Sequence, residues 1–150
     1  LPNIQFNGRK GALSRLEIEK VLYATSEKIA LAILSYVFKG AKEQSTIDLW
    51  ELENLVGQIL DDAVRKIGTV DLPLAESLSF EIKRRKSALV GDMTNLLLEC
   101  MKDAFRDSVK ITYSTPRMIS VTIKANKDPG FMRRELKEII YEMLRHLVSR

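Results

Sequence analysis

Three kinds of side chain in this sequence could do chemistry: cations in runs, carboxylates at helical spacing, and single copies of histidine and cysteine. Lys83-Arg84-Arg85-Lys86 places four cations in a row, Arg133-Arg134 is a second cluster, and Arg9-Lys10 lies near the start. Arg117 sits between two stretches of alternating polarity that also carry Lys110 and Lys124. Lysine, arginine and hydroxyl side chains are the usual donors to phosphate oxygens. Four consecutive cations on a helix point around most of its circumference, so they cannot all be buried or paired. A surface built from these clusters would grip a nucleic-acid backbone without reading bases, and would lose affinity steeply with salt. The competing reading is a solvated surface of mixed charge, stabilised by pairs one helical turn apart.

The carboxylates suggest a different chemistry. Glu99, Asp103 and Asp107 recur every four residues and share one helix face, and Asp61-Asp62 forms a second pair. Facing carboxylates on bundle helices can hold a divalent ion, as metal-dependent helical hydrolases do. Glu135-x-x-Glu138 has the spacing of such sites but lacks a matching partner, and Lys102 and Arg106 interleave with the first group. His146 is the only histidine and falls at the end of the last helical stretch, where it complements the helix dipole. Cys100, flanked by Leu96, Leu97 and Met101, reads as a buried, unreactive thiol, and a lone cysteine excludes an internal disulfide. No phosphate-binding glycine loop, H-E-x-x-H or C-x-x-C motif is present. No catalytic set, metal or cofactor is therefore expected.

These groups need elements to position them. The chain has 150 residues, 45% hydrophobic and 29% charged, which suits one globular domain with a real core. Its 24 basic against 20 acidic residues give a net charge of +4, a modest bias toward anionic partners. Leu1 to Gly11 holds no apolar block of the signal-peptide kind. The most apolar run, Ile29 to Phe38, is ten residues, too short to span a bilayer. An intracellular protein with no membrane partner is expected.

Asn3 to Asn7 alternates and reads as an edge strand within an arm over residues 1–13. Ser14 and Glu17 form a capping box for a first helix that Gly40 would end. Ser45 or Thr46 caps a second helix with the apolar face Leu49, Leu52, Val56, Ile59, Leu60, Ala63, Val64 and Ile67, and Trp50 at its rim. Asp71-Leu72-Pro73 opens a third, and Gly91-Asp92 suggests a break into helices over 72–89 and 92–107. From Val109 the period switches to two, giving a hairpin that turns at Ser114-Thr115-Pro116-Arg117. Its apolar face carries Val109, Ile111, Tyr113, Ile119, Val121 and Ile123. Asp128-Pro129 starts the closing helix, which is expected to cover that face.

The fold class is thus α+β and mainly helical: four to five helices in a bundle, a C-terminal antiparallel β-hairpin and a closing helix. As one domain, 1–150 divides into an arm (1–13), a helical body (14–107) and a hairpin with its helix (108–150). The function this favours is a non-catalytic binding subunit within a larger complex. It would contact a nucleic-acid backbone through Lys83, Arg84, Arg85, Lys86, Lys110, Arg117, Lys124, Arg133 and Arg134. The alternative is a protein–protein assembly or dimerisation module that uses the hairpin edge or an apolar helix face. A metal-dependent helical hydrolase comes third.

Overall fold

A computed structural model describes the backbone of residues 2–38, 44–123 and 130–149, and the side chains of 14–38, 44–123 and 132–149. The order of elements is α1 (Pro2–Val37), β1 (Gln44–Asp48), α2 (Leu49–Gly68), α3 (Leu72–Phe105), a 3-10 turn (Arg106–Ser108), β2 (Val109–Tyr113), β3 (Met118–Ile123) and α4 (Gly130–Val148). The mainly helical α+β class is borne out: the described residues form four α-helices and one three-stranded antiparallel sheet in the order β1-β3-β2.

The local signals explain most boundaries. Asp48 is the N-cap of α2, its carboxylate accepting the Trp50 amide at 3.0 Å, and Glu51 lies in the positive first turn. Asp71 does the same for α3, accepting the Leu74 amide at 3.1 Å, with Pro73 in the first turn. In α2, Leu52, Val56, Leu60, Ala63 and Ile67 form one buried stripe.

Four expectations need correction. Residues 2–13 belong to α1, so there is no N-terminal strand, and Ser14 and Glu17 lie inside that helix rather than at its start. The strand that joins the hairpin is Gln44–Asp48, on its β3 side. Ser45 and Thr46 are therefore strand residues, and the cap of α2 falls to Asp48. Gly91 does not break α3: it costs a helix about 1 kcal/mol relative to alanine, against the burial of Leu89, Val90, Met93, Thr94, Leu97 and Leu98 on either side. The closing helix does not cover the hairpin. It packs chiefly on α1 and α3, while β1 rests on α1 and α2 and β2 meets α3. Gly40, Lys124 and Asp128-Pro129 lie outside the described residues.

The helices alternate in direction. Tyr36 near the end of α1 bonds Glu51 in the first turn of α2. A Cβ at Gly57 would lie 3.3 Å from Lys86, and one at Gly68 would lie 3.5 Å from Ala75, so α2 and α3 run antiparallel. Glu27 pairs with Arg133 at 2.7 Å, and Tyr23 meets Tyr141 edge-to-face at 5.6 Å, which sets α4 antiparallel to α1. The result is an up-down-up-down bundle with the sheet at one end. At 34 residues α3 outruns α2, which has 20. Extending the Gly57–Lys86 register, α2 begins level with about Thr94 of α3, one residue descending on one helix for each ascending on the other. Beyond that level Leu97, Leu98, Met101 and Phe105 are still buried, as are Ile47, Ile119 and Val121 of the sheet, all in one core. The sheet is the cover of the overhanging end of α3. No described helix is long and apolar enough to cross a membrane.

Candidate functional site

The sheet end presents two unlike faces. Its register places Tyr113, Ile119 and Ile47 in one row, and Ile111, Val121 and Ser45 in the next. Direct cross-strand partners share a face, so these rows form the inner face. The outer face carries Thr112, Ser120 and Thr46 in one row, and Lys110, Thr122 and Gln44 in another. This extends the polar face expected of the hairpin by a third strand.

Two hydrogen bonds fix which backbone groups each strand spends on its neighbour. The Ser114 amide donates to the Met118 carbonyl at 3.1 Å, and the Leu49 amide donates to the Arg117 carbonyl at 2.9 Å. Bonded and non-bonded pairs alternate along an antiparallel ladder. The even positions of β2 therefore face β3, and the odd positions of β1 do so on the other side. The outward groups are those of Gln44, Thr46 and Asp48 on β1, and of Val109, Ile111 and Tyr113 on β2.

The two edges are finished differently. On β1 the Asp48 amide donates to the Tyr36 hydroxyl at 3.1 Å, and that hydroxyl donates to the Glu51 carboxylate at 2.6 Å. Burial, followed by the bond to Glu51, pushes the Tyr36 phenol up to about 12. Arg117 grips the Asp48 carboxylate through Nε and an Nη, both at 3.0 Å, while its guanidinium lies 4.1 Å from the centroid of the Trp50 ring. The bond from Arg117 is the main reason the Asp48 carboxyl is held below its ordinary value. Trp50, expected at a rim or in the core, is 61% exposed and supports Arg117 on one face. On β2, the Val109 amide bonds the Arg106 carbonyl. Among the described residues, nothing bonds the outward groups of Ile111 and Tyr113 on β2, or of Thr46 on β1, and the Tyr113 side chain is 57% exposed.

The basic clusters do not meet on one side. Arg84 and Arg85 turn back onto Glu81 at 3.1 and 3.8 Å. Arg85 also lines the groove between α3 and α4. Lys83 and Lys86 line the groove between α2 and α3, beside Asn54, Gln58 and Asp61. Arg133 pairs with Glu27 on α1, and Arg134 with Glu138 on its own helix at 3.7 Å. Arg117 is spent on Asp48 at the sheet end. Lys110 is exposed on the outer sheet face. Lys124 and the side chains of Arg9 and Lys10 lie outside the described residues.

The other candidates are also dispersed. His146 is exposed in the last turn of α4. Cys100 is half-buried, and burial, reinforced by Glu135, Asp103 and Glu99, raises its thiol pKa. Asp62 is held by Lys66 at 3.2 Å and Arg65 at 3.6 Å. Among the described residues, no group of three or more histidine, cysteine or acidic side chains is placed to hold a metal ion.

Sequence reasoning missed β1 and the Tyr36 hydroxyl. The alternation of Ser45 and Ile47 with Thr46 and Asp48 was a signal for the strand. Nothing local marked Tyr36, whose partners lie 12 and 15 residues away. No protein-family model, curated protein or solved structure matches the chain.

Proposed function

We propose that this chain is a non-catalytic assembly module whose β2 edge pairs antiparallel with β2 of a second copy. The observation that carries this reading is the unpaired outward backbone of Ile111 and Tyr113 next to the exposed Tyr113 ring, whereas on β1 the last outward amide, that of Asp48, is taken by Tyr36. An open, flat edge is a template for strand addition. The sequence of β2, Val-Lys-Ile-Thr-Tyr, suits pairing with itself. Centred on Ile111, the pairing sets Val109 against Tyr113 and Lys110 against Thr112 of the second copy. No like charges oppose each other, and the β-branched and aromatic pairs favour contact. The same step continues the ladder through the Ile111 amide and carbonyl and buries the exposed Tyr113 ring. Cross-strand pairs contribute only about 0.2–1 kcal/mol each, so the dimer is weak and depends on concentration.

Sedimentation velocity across a concentration series tests this. A dimer that dissociates on dilution is expected at salt high enough to screen surface charge. Tyr113→Lys puts a charge on the edge, and Ile111→Pro removes an outward amide that the fold does not use. Both variants should be monomeric; Tyr113→Lys should keep the melting temperature, while Ile111→Pro should lower it because the Ile111 side chain packs against the core. A wild-type monomer at every concentration sinks the proposal.

A second reading is favoured by the outer sheet face. There the hydroxyls of Thr46, Ser120 and Thr112 form a row across three strands beside Lys110. Such donors suit phosphate oxygens, and Lys83, Arg84, Arg85, Lys86, Arg117, Arg133 and Arg134, which do not share this face, add only to the overall positive field. This is the binding of a nucleic-acid backbone within a larger complex. Fluorescence anisotropy with single- and double-stranded DNA and RNA, titrated with salt, decides it. Binding should weaken as salt rises and fall when Lys83 to Lys86 are neutralised. Absence of binding at low salt removes this reading and leaves the dimer untouched.

A further inference from the structure

We propose that the groove between α3 and α4 docks a cationic amphipathic helix from a partner protein. The groove encloses about 660 Å³. Ile139 and Met143, one turn apart on α4, are half-buried and form its floor. Asp92 lines it from α3, and Glu135, Glu138 and Glu142 line it from α4. The three glutamates fall at i, i+3 and i+7, the spacing that puts side chains on one helix face.

The charge of this groove runs against that of the chain. The whole sequence carries +4, yet the lining has four carboxylates against the single guanidinium of Arg85. Arg85 is itself drawn toward Glu81 at 3.8 Å. Glu138 and Glu142 are held only by neighbours on their own helix, Arg134 at 3.7 Å and Arg145 at 3.6 Å, with all four side chains at least half exposed. Exposed pairs at such distances contribute little, so an incoming cation can displace them. The acidic field reaches along α3 as far as Cys100, where Glu135, Asp103 and Glu99 add to the effect of burial on the thiol.

The shape and the charge select the same occupant. Two antiparallel helices present a groove that takes a third helix, with apolar anchors at i, i+3 or i+4, and i+7 along the floor. From Glu135 to His146 the groove rises about 16 Å, or three turns. A helix of that length would seat its apolar stripe on Ile139 and Met143 and bring flanking lysines or arginines to the carboxylates. The same carboxylates repel a nucleic-acid backbone from this side. None of its lining residues lies on the sheet, so the site does not depend on strand pairing there.

The test uses the full chain and a fluorescently labelled peptide of about four helical turns, with leucine at i, i+3, i+4 and i+7 and lysine at the flanking positions. Saturable binding is expected at low ionic strength. A peptide with glutamate in place of lysine should bind at least about tenfold more weakly, because like charges then oppose. In the chain, Glu138→Gln with Glu142→Gln should weaken the lysine peptide by about tenfold, and Met143→Glu should do the same by charging the floor. The double glutamine variant alters only exposed side chains, so it reads the groove even if Met143→Glu disturbs packing. Three results would overturn the proposal: no saturable binding, equal binding of a lysine peptide whose leucines are scrambled off one face, or unchanged binding to the double glutamine variant.

Discussion

The two edges of the sheet start from similar strands and are anchored at one end by different partners. β1 and β2 are both five residues long and both pair with β3. β1 runs straight into α2, so its last residue doubles as a helix cap, and Tyr36 from α1 seals its outward amide. β2 leaves α3 through a 3-10 turn in which Arg106 has φ +45°, a region that favours glycine. Its outward groups at Ile111 and Tyr113 meet no described partner. What an edge loses to its surroundings depends on what the neighbouring element places beside it, not on the composition of the strand: α1 brings a hydroxyl to the Asp48 amide, and the 3-10 turn brings the Arg106 carbonyl to the Val109 amide.

The largest expected effect comes from removing what the two edges share. Ile119 lies on β3 and is 2% exposed. Ile119→Ala should cost about 2–5 kcal/mol in urea unfolding and abolish dimerisation as well. A loss below about 1 kcal/mol would mean that the sheet is not docked on the core, as partial relaxation alone does not erase so much.

Tyr36→Phe should make the edges more alike. It leaves the Asp48 amide without its partner, at a cost of about 1–2 kcal/mol. It also opens β1, so oligomers larger than a dimer should appear in sedimentation. The same hydroxyl has a pH signature. Its pKa rises from 10.0 to about 12 on folding, so the neutral phenol is the favoured form. Its stabilisation is complete below pH 10.0 and is lost as pH climbs through about 12. Near-ultraviolet titration of phenolate should show a late-titrating component that Tyr36→Phe removes.

Arg106→Gly sharpens the comparison from the β2 side. Glycine adopts a positive φ without steric cost, so relief of strain at the joint should raise stability by about 1 kcal/mol, net of the freer unfolded chain. A decrease would show that the Arg106 side chain stabilises the joint more than its backbone strains it.

The smallest effect belongs to the Asp48–Arg117 pair. The Asp48 carboxyl is held below its ordinary 3.8, chiefly by Arg117. Its contribution is present above pH 3.8 and fades as pH falls through the lowered value. Trp50 fluorescence should report this as Arg117 loosens from the ring in acid. An Arg117→Lys variant, which cannot form the two-point grip, should lack that transition.

Much of this was readable from periodicity. The apolar face of α2 was anticipated residue by residue, and the hairpin strands and the turn at Ser114 to Arg117 fell where the alternation put them. The break at Gly91 was misread because a glycine's local cost carries no information about the core that offsets it. The basic clusters were visible as clusters, but their distribution was not. Lys86 and Arg85 are adjacent in sequence yet line different grooves, since successive helical residues point about 100° apart.

By itself the sequence determined the short-range physics: where helices start, which stripe of each is apolar, and where the period changes to two. These depend on residues within a turn or two of one another. Only the tertiary structure decided that Gln44–Asp48 becomes a third strand, that Asp48 meets Arg117 across 69 residues, and that Tyr36 takes the last outward amide of β1. Those outcomes depend on which surfaces the bundle brings together, and a strand or an ion pair between distant residues has no local period to announce it.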